Sequence, residues 1–397
     1  MVQISEMMET LRPYCDDEVR PAVERLMKHP MLRGMYRYLF GEEALEQELA
    51  RFANIRTVDG IQRQFSARVV SELIRQTSDG FTFSGLEHLR RDKAYLFVAN
   101  HRDIVLDSAL LQWVFSREGY TTTQITFGSN LMSGQFVIDL GKLNKMFTFY
   151  RGGSRIQQYR NAALHSAYIN QVILNQKESI WIAQRDGRTK DGDDITQTGL
   201  LKMFAMHQGE VARGLEQLNI VPVTVSYELE PCAGTKVRET YNKACGLDYQ
   251  KAPGEDFESV VAGLIGAKGR IHMAFGEPLN NFIKESAVGA KDANELVQKV
   301  AREIDRQVYR DYRLFPFNYL AYDLLHASSR YKGLEYNGAQ AEDFVRYRTL
   351  CLSGIEGDRH VLEQLFLRMY AAPVMNKIGE ARSGAQPGKC AFPGLSV

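Results

Sequence analysis

Charge of one sign is what this chain of 397 residues has least of. Lysine and arginine number 49 against 48 aspartates and glutamates, a net charge of +1. No global basic field exists to hold nucleic acid or an anionic membrane, so any anion site has to be local. Long hydrophobic runs are also missing. Ala94 to Ala99, and Ile104 to Phe115 with Asp107 inside it, fall far short of the roughly 20 apolar residues of a membrane span. Cysteine is scarce: Cys15, Cys232, Cys245, Cys351 and Cys390 are scattered, with no C-x-x-C pair. That pattern fits reduced thiols in a cytosolic compartment and implies neither a disulfide framework nor a metal site. Met1 to Arg12 lacks a basic segment followed by an apolar one, so no secretory signal is expected. What remains is an ordinary globular composition, 44% hydrophobic and 24% charged, with length for two or three domains or one large one.

The texture of the chain divides it into three regions. Asp16 to Gln76 has a helical pattern, with Ile61, Phe65, Val69 and Leu73 recurring every fourth residue and Pro13, Pro21, Pro30, Gly34 and Gly41 as punctuation. An N-terminal helical bundle over residues 1–80 is expected. After Gly80, short β-prone runs alternate with helical stretches, the pattern of a sheet with crossover helices. Strands are predicted at Tyr95–Ala99, Gln124–Phe127, Phe147–Tyr150, Ser179–Ala183, Val221–Ser226 and Ile271–Phe275. Helices are predicted from Ser154 to Gln176, over Gly199–Met206, and from a capping box at Asp292 and Glu295 with Leu296, Val300, Ile304 and Val308 on one stripe. The fold class is α/β, a mixed, mostly parallel central sheet flanked by helices, over residues 81–318. Residues 319–397 read as a helical extension that becomes a poorly ordered tail from Gly379 onward.

Four stretches carry chemistry. The first runs from Ala94 to Asp107, a buried strand leading straight into Asn100, His101, Arg102 and two aspartates. A histidine and a nearby aspartate at a strand's carboxyl end can supply an imidazole base and the carboxylate that orients it. A helix-capping aspartate beside a surface histidine is the alternative on spacing alone. His101-Arg102-Asp103 also copies a kinase tripeptide, but no Asn follows five residues later, and neither a D-F-G nor a Gly-rich loop is present. The second stretch places Lys142, Lys145, Arg151 and Arg155 around a strand and the pair Gly152-Gly153, a combination that suits a phosphate. The third exits a strand into Arg185, Arg188 and Lys190, whose mutual repulsion an anion or Asp186 and Asp191 can relieve. The fourth, Asn219 to Glu228, is a strand containing Pro222, which needs an edge, a strand start or a bulge.

In this order, the four stretches resemble the sequence blocks of the glycerophosphate acyltransferase family, both glycerol-3-phosphate and lysophosphatidate acyltransferases, over roughly Phe83 to Glu228. The family's first block is Asn-His, four residues, then Asp; Asn100 and His101 match, while Asp107 follows after five. Phe149-Tyr150-Arg151 resembles the end of the second block. Gly187-Arg188-Thr189-Lys190-Asp191-Gly192 resembles the long form of the third, with Arg185 where glutamate is usual. Pro222 and Tyr227-Glu228 resemble the fourth.

The resemblance implies an enzyme that moves a fatty acyl group from acyl-CoA or acyl carrier protein to glycerol 3-phosphate. His101 would be the base, with Asp107, or else Asp103, holding it. Arg151, Arg188 and Lys190, together with Arg185, would bind the phosphate. The resemblance implies no cofactor beyond the acyl thioester co-substrate, no metal and no nucleic acid partner. It also implies a cytoplasmic protein peripherally associated with the inner face of the membrane. Transfer to lysophosphatidate or another lysolipid is the nearest alternative, and a catalytically silent lipid-binding relative is the alternative from another class.

Overall fold

The computed structural model describes residues 2–132, 134–247 and 254–379. The tail expected after Gly379, and Cys390 with it, lies outside the described residues. The strands are β1 Phe81–Ser84, β2 Leu96–Ala99, β3 Gln124–Gly128, β4 Met146–Phe149, β5 Ile180–Ala183, β6 Ile220–Tyr227 and β7 Ile271–Phe275. They form one sheet in the order β1-β7-β6-β2-β5-β3-β4. Every neighbouring pair is parallel except β6 with β7.

The sheet is covered on both faces, which is why β2 (Leu-Phe-Val-Ala) and β5 (Ile-Trp-Ile-Ala) carry no polar residue and are buried throughout. Alternate residues serve two cores. Leu96, Val98, Ile180 and Ile182 pack with Leu201, Val300, Ile304 and Val308. Phe97, Ala99 and Trp181 pack with Leu110, Val114 and Phe275 on the other face. The stripe of helix Ala293–Asp311 falls where its spacing predicts, and Asp292 caps it by accepting the Glu295 N–H. The reciprocal Glu295 bond goes to the Lys291 N–H instead of Asp292.

At three places the fold departs from the sequence reading or adds to it. β1 carries no sequence prediction because its Phe-Thr-Phe-Ser run is four residues long and half-exposed at the sheet edge. Pro21 and Gly34 do not break the chain; they lie inside helices Asp16–Met27 and Pro30–Phe40. Both are exposed, where water can reach a carbonyl left without its helical donor. Pro222 sits in a central strand, yet at the place where its missing donor matters least. The β6–β7 ladder begins at Val223 with Phe275, and Pro222 faces the fraying end, accepting the Gly276 N–H.

Helices Asp16–Met27, Pro30–Phe40, Glu42–Ala53 and Ala67–Thr77 precede the sheet. The every-fourth-residue stripe has a geometric cause: Ile61–Ser66 is a π-helical turn, wider than an α-turn, leading into Ala67–Thr77. After the sheet, helices Pro316–Leu325, Gly338–Cys351 and Arg359–Ile378 gather around Phe317, Phe344, Phe366 and Tyr370. Among the described residues, no helix is long and apolar enough to cross a membrane.

Candidate active site

β2 ends at Ala99, and the chain then turns through Asn100 to Val105 into helix Leu106–Glu118. Asn100 is buried and ties β2 to β6: its amide donates to the Val225 carbonyl and the Asp194 carboxylate, while its oxygen accepts the Val225 N–H. The next residue, His101, has 13% of its side chain exposed, and its Nδ1 lies 2.9 Å from Oδ2 of fully buried Asp107. Asp107 Oδ2 also accepts the Arg102 and Asp103 N–H groups, at 2.6 and 2.9 Å. Its Oδ1 accepts the hydroxyl of Tyr227, at 2.7 Å. Burial, followed by the Asp107 charge, pushes the Tyr227 pKa well above its ordinary value, so the phenol stays a donor. A carboxylate held by these donors on both oxygens is fixed in orientation, with Oδ2 facing the imidazole.

The five-residue spacing has a local explanation. Asp103 Oδ1 accepts the N–H groups of Val105 and Leu106, closing a tight turn at the start of the helix. The capping aspartate and the imidazole partner are therefore two different residues, Asp103 and Asp107. Asp103 does not take the imidazole. It is buried beside Gly263, where an added Cβ would come 2.1 Å from its Oδ2. Burial and the Asp107 charge raise its pKa above the ordinary carboxylate value.

Arg102, the middle residue of the kinase-like tripeptide, is a buried strut. Its guanidinium binds Asp194 at 2.6 Å, Glu230 at 3.1 Å and the Gly192 carbonyl, and it lies over the Tyr312 ring. Lys236, fully buried, binds Glu230 at 2.6 Å and the Arg102 carbonyl. Removing one member of such a network would strand a buried charge, at a cost of about 3–5 kcal/mol.

The loop after β5 lies alongside His101, whose carbonyl accepts the Thr189 N–H at 2.7 Å. Ala99 and Ala183 are in register, so His101 and Arg185 leave neighbouring strands at one level. The four cations predicted for a phosphate are distributed unevenly. Arg151 and Arg185 line one cavity of about 300 Å³, with Gln158, Asn161, His165 and Gln197. Arg151 pairs with Asp186 at 2.5 Å, and Arg185 touches the Asp193 carbonyl. Arg188 is outside this cavity's lining, buried near Asp103 and Cys232, and among the described residues its Nη1 has no hydrogen-bond partner. Lys190 does not join this cavity's lining; it is bound to Glu239. Lys142 and Lys145 hold the fold together instead: Lys142 caps the carbonyls of Leu11 and Arg12, and Lys145 binds Glu178 and the Thr122 carbonyl.

His165, inside this cavity, accepts the Tyr150 N–H at Nε2 and stacks on Phe149. Burial lowers its pKa to about 4. On the other face of the sheet, an apolar groove of about 350 Å³ opens beside Val105, walled by Phe65, Val69, Ala109, Trp113, Phe127 and Leu131.

Sequence reading missed Tyr227 as the second donor to Asp107, and Asp194 and Glu230 as anchors of Asn100 and Arg102. Tyr227 stands in the fourth block, but nothing local ties it to a residue 120 positions earlier. Residues 80–226 match the family model described as acyltransferase. The span runs from the start of β1 into β6 and contains His101, Asp107 and all four predicted cations. No curated protein matches the chain. The match supports acyl transfer in lipid synthesis in general, and it leaves both sets of flanking helices outside.

Proposed function

We propose that the chain is an O-acyltransferase carrying a fatty acyl group from acyl-CoA or acyl carrier protein to glycerol 3-phosphate. The observation that carries this reading is the 2.9 Å contact between His101 and an Asp107 whose carboxylate is held by three further donors, the Arg102 and Asp103 N–H groups and the Tyr227 hydroxyl. Asp107 fixes the tautomer with hydrogen on Nδ1 and leaves Nε2 free to accept a proton. Nε2 takes the acceptor's hydroxyl proton as its oxygen attacks the thioester carbonyl. The tetrahedral adduct then expels the thiolate, which recovers the proton from the imidazolium.

Arg151 and Arg185 grip the phosphate in the polar cavity, whose lining does not include Arg188, so that phosphate binding orients the hydroxyl. Lys190 joins the grip only by releasing Glu239. The apolar groove beside Val105 receives the acyl chain. A polar cavity lined by Arg151 and Arg185 supports a small, polar acceptor over a lysolipid. A lipid product supports a peripheral position of the enzyme at the cytoplasmic face of a membrane.

The test is thiol release from palmitoyl-CoA and from palmitoyl carrier protein, with glycerol 3-phosphate or lysophosphatidate as acceptor. Release that depends on glycerol 3-phosphate and falls by about a thousandfold in His101→Ala supports the reading. Release with lysophosphatidate alone replaces the acceptor. No acceptor-dependent release in any pairing overturns the enzyme reading in favour of a silent lipid-binding protein.

A further inference from the structure

The first two turns of helix Arg155–Asn170 carry a surface that the candidate reaction does not use. Between Asp139 and Glu178 the chain contains no aspartate or glutamate, but six lysines and arginines. Three of the six are engaged: Lys142 with carbonyls, Lys145 with Glu178 and Arg151 with Asp186. Among the described residues, Arg155 and Arg160 are exposed without a hydrogen-bond or ion-pair partner, and neither lines the polar cavity, so Arg155 stands outside the phosphate site its sequence context suggests. Beside them, Ile156 is 67% and Tyr159 68% exposed, among the most exposed large apolar side chains described.

At about 100° per residue, Arg155, Tyr159, Ile156 and Arg160 fall within one arc of about 140°. The adjoining side of the same helix, through Gln158, Asn161, Ala162 and His165, lines the polar cavity. The arc is therefore continuous with the mouth of that cavity. The neighbouring helix Val2–Leu11 presents Glu9, whose charge is taken up by Arg12.

We propose that this arc is the docking surface for an anionic lipid bilayer. Unpaired arginines flanking an aliphatic and an aromatic side chain match the interface, where headgroup phosphates meet acyl chains. An aromatic ring with a polar tip sits at that boundary, and arginine stems extend along it with their charge outward. Docking here sets the cavity mouth against the membrane, so that the acylated product leaves directly into lipid. The proposal deepens the acyl-transfer reading and rests on it for the lipid nature of the product.

The experiment is co-sedimentation of the full chain with vesicles of phosphatidylcholine alone, and of phosphatidylcholine and phosphatidylglycerol in equal parts. Wild type, Arg155→Gln/Arg160→Gln and Ile156→Ser/Tyr159→Ser are compared. The expected result is binding to the mixed vesicles that weakens with salt, falls about thirtyfold in the arginine pair and falls about tenfold or more in the apolar pair. In each variant, acyl transfer from a short-chain acyl-CoA to glycerol 3-phosphate in the absence of vesicles stays at the wild-type rate.

Equal vesicle binding by wild type and variants overturns the proposal. So does wild-type indifference to both vesicles, or binding of the acidic acyl carrier protein through this arc in place of vesicles. Failure of the acyl-transfer reading has a different signature, since vesicle binding is measured without turnover.

Discussion

Helices Ala67–Thr77 and Arg359–Ile378 both lie outside the segment that matches the acyltransferase family, and both reach the candidate site, by different means. The first contributes Val69, Val70 and Leu73 to the apolar groove beside Val105. The second clamps the polar loop after β5 and the segment that follows β6. Asn376 donates to Asp193, the Tyr370 hydroxyl accepts the Glu230 N–H, and Gly192 packs so tightly that an added Cβ would lie 2.1 Å from the Met369 carbonyl. The N-terminal side is shaped mainly by non-directional packing, which tolerates volume-conserving exchange, beside the hydrogen bond that Trp113 Nε1 donates to Ser71 Oγ. The C-terminal side depends on directional bonds and one close backbone approach, which do not. The two flanks therefore should fail in different ways when altered.

The largest effect is expected on the clamp. Gly192 adopts φ +82°, so Gly192→Ala combines a left-handed backbone penalty with the collision at Met369. Thermal unfolding is expected to report a loss of about 3 kcal/mol, with acyl transfer reduced about a hundredfold as the loop carrying Arg185 and Arg188 shifts. Near-wild-type behaviour would erase the contrast between the flanks.

The polar cavity should also reveal itself through pH. His165 titrates near 6.5 when unfolded and at about 4 in the fold, because burial disfavours its charged form. The unfolded chain binds the extra proton in that window. Stability is therefore full above pH 6.5 and falls by about 3 kcal/mol as pH drops to 4. Urea unfolding across this range should show the loss in wild type and a flatter profile in His165→Gln, which keeps an acceptor for the Tyr150 N–H.

On the apolar side, Val69→Trp should leave folding intact and shorten the groove. Palmitoyl transfer is expected to fall about tenfold relative to decanoyl transfer. Equal loss with both donors would remove the groove from acyl binding. The smallest change in activity is expected for Lys190→Gln, although it costs about 1–3 kcal/mol of stability, because Glu239 is only 5% exposed and loses the lysine that pairs with it. Its kcat/KM for glycerol 3-phosphate should stay within about threefold of wild type, and a larger drop would return Lys190 to the phosphate grip.

What could be read in advance follows the range of the forces involved. β2 and β5 were legible because a strand buried on both faces has an uninterrupted apolar run, and Ile271–Phe275 was placed to the residue. His101 and Asp107 were legible as a pair because six residues of chain join them. The role of Asp103 was not, because a turn that accepts two N–H groups and a dyad acid look alike in one dimension. Tyr227, Asp194 and Glu230 act across the sheet on residues about 90 to 130 positions away, and Glu239 holds Lys190 from a helix 49 positions further on. Partners at that distance are set by strand order, which local patterning does not carry.

The pairing of β1 with β7 has a consequence for synthesis. Thr82 and His272, which share a hydrogen bond across that pair, are 190 residues apart in the chain. At roughly 5–20 residues per second, β1 leaves the ribosome about 10–40 s before its neighbour β7 exists. During that interval the phenylalanines of Phe81–Ser84 and an unpaired strand edge are open to nascent neighbours. The brevity of β1, four residues with exposed Thr82 and Ser84, keeps that edge a poor template for aggregation while the chain is being made.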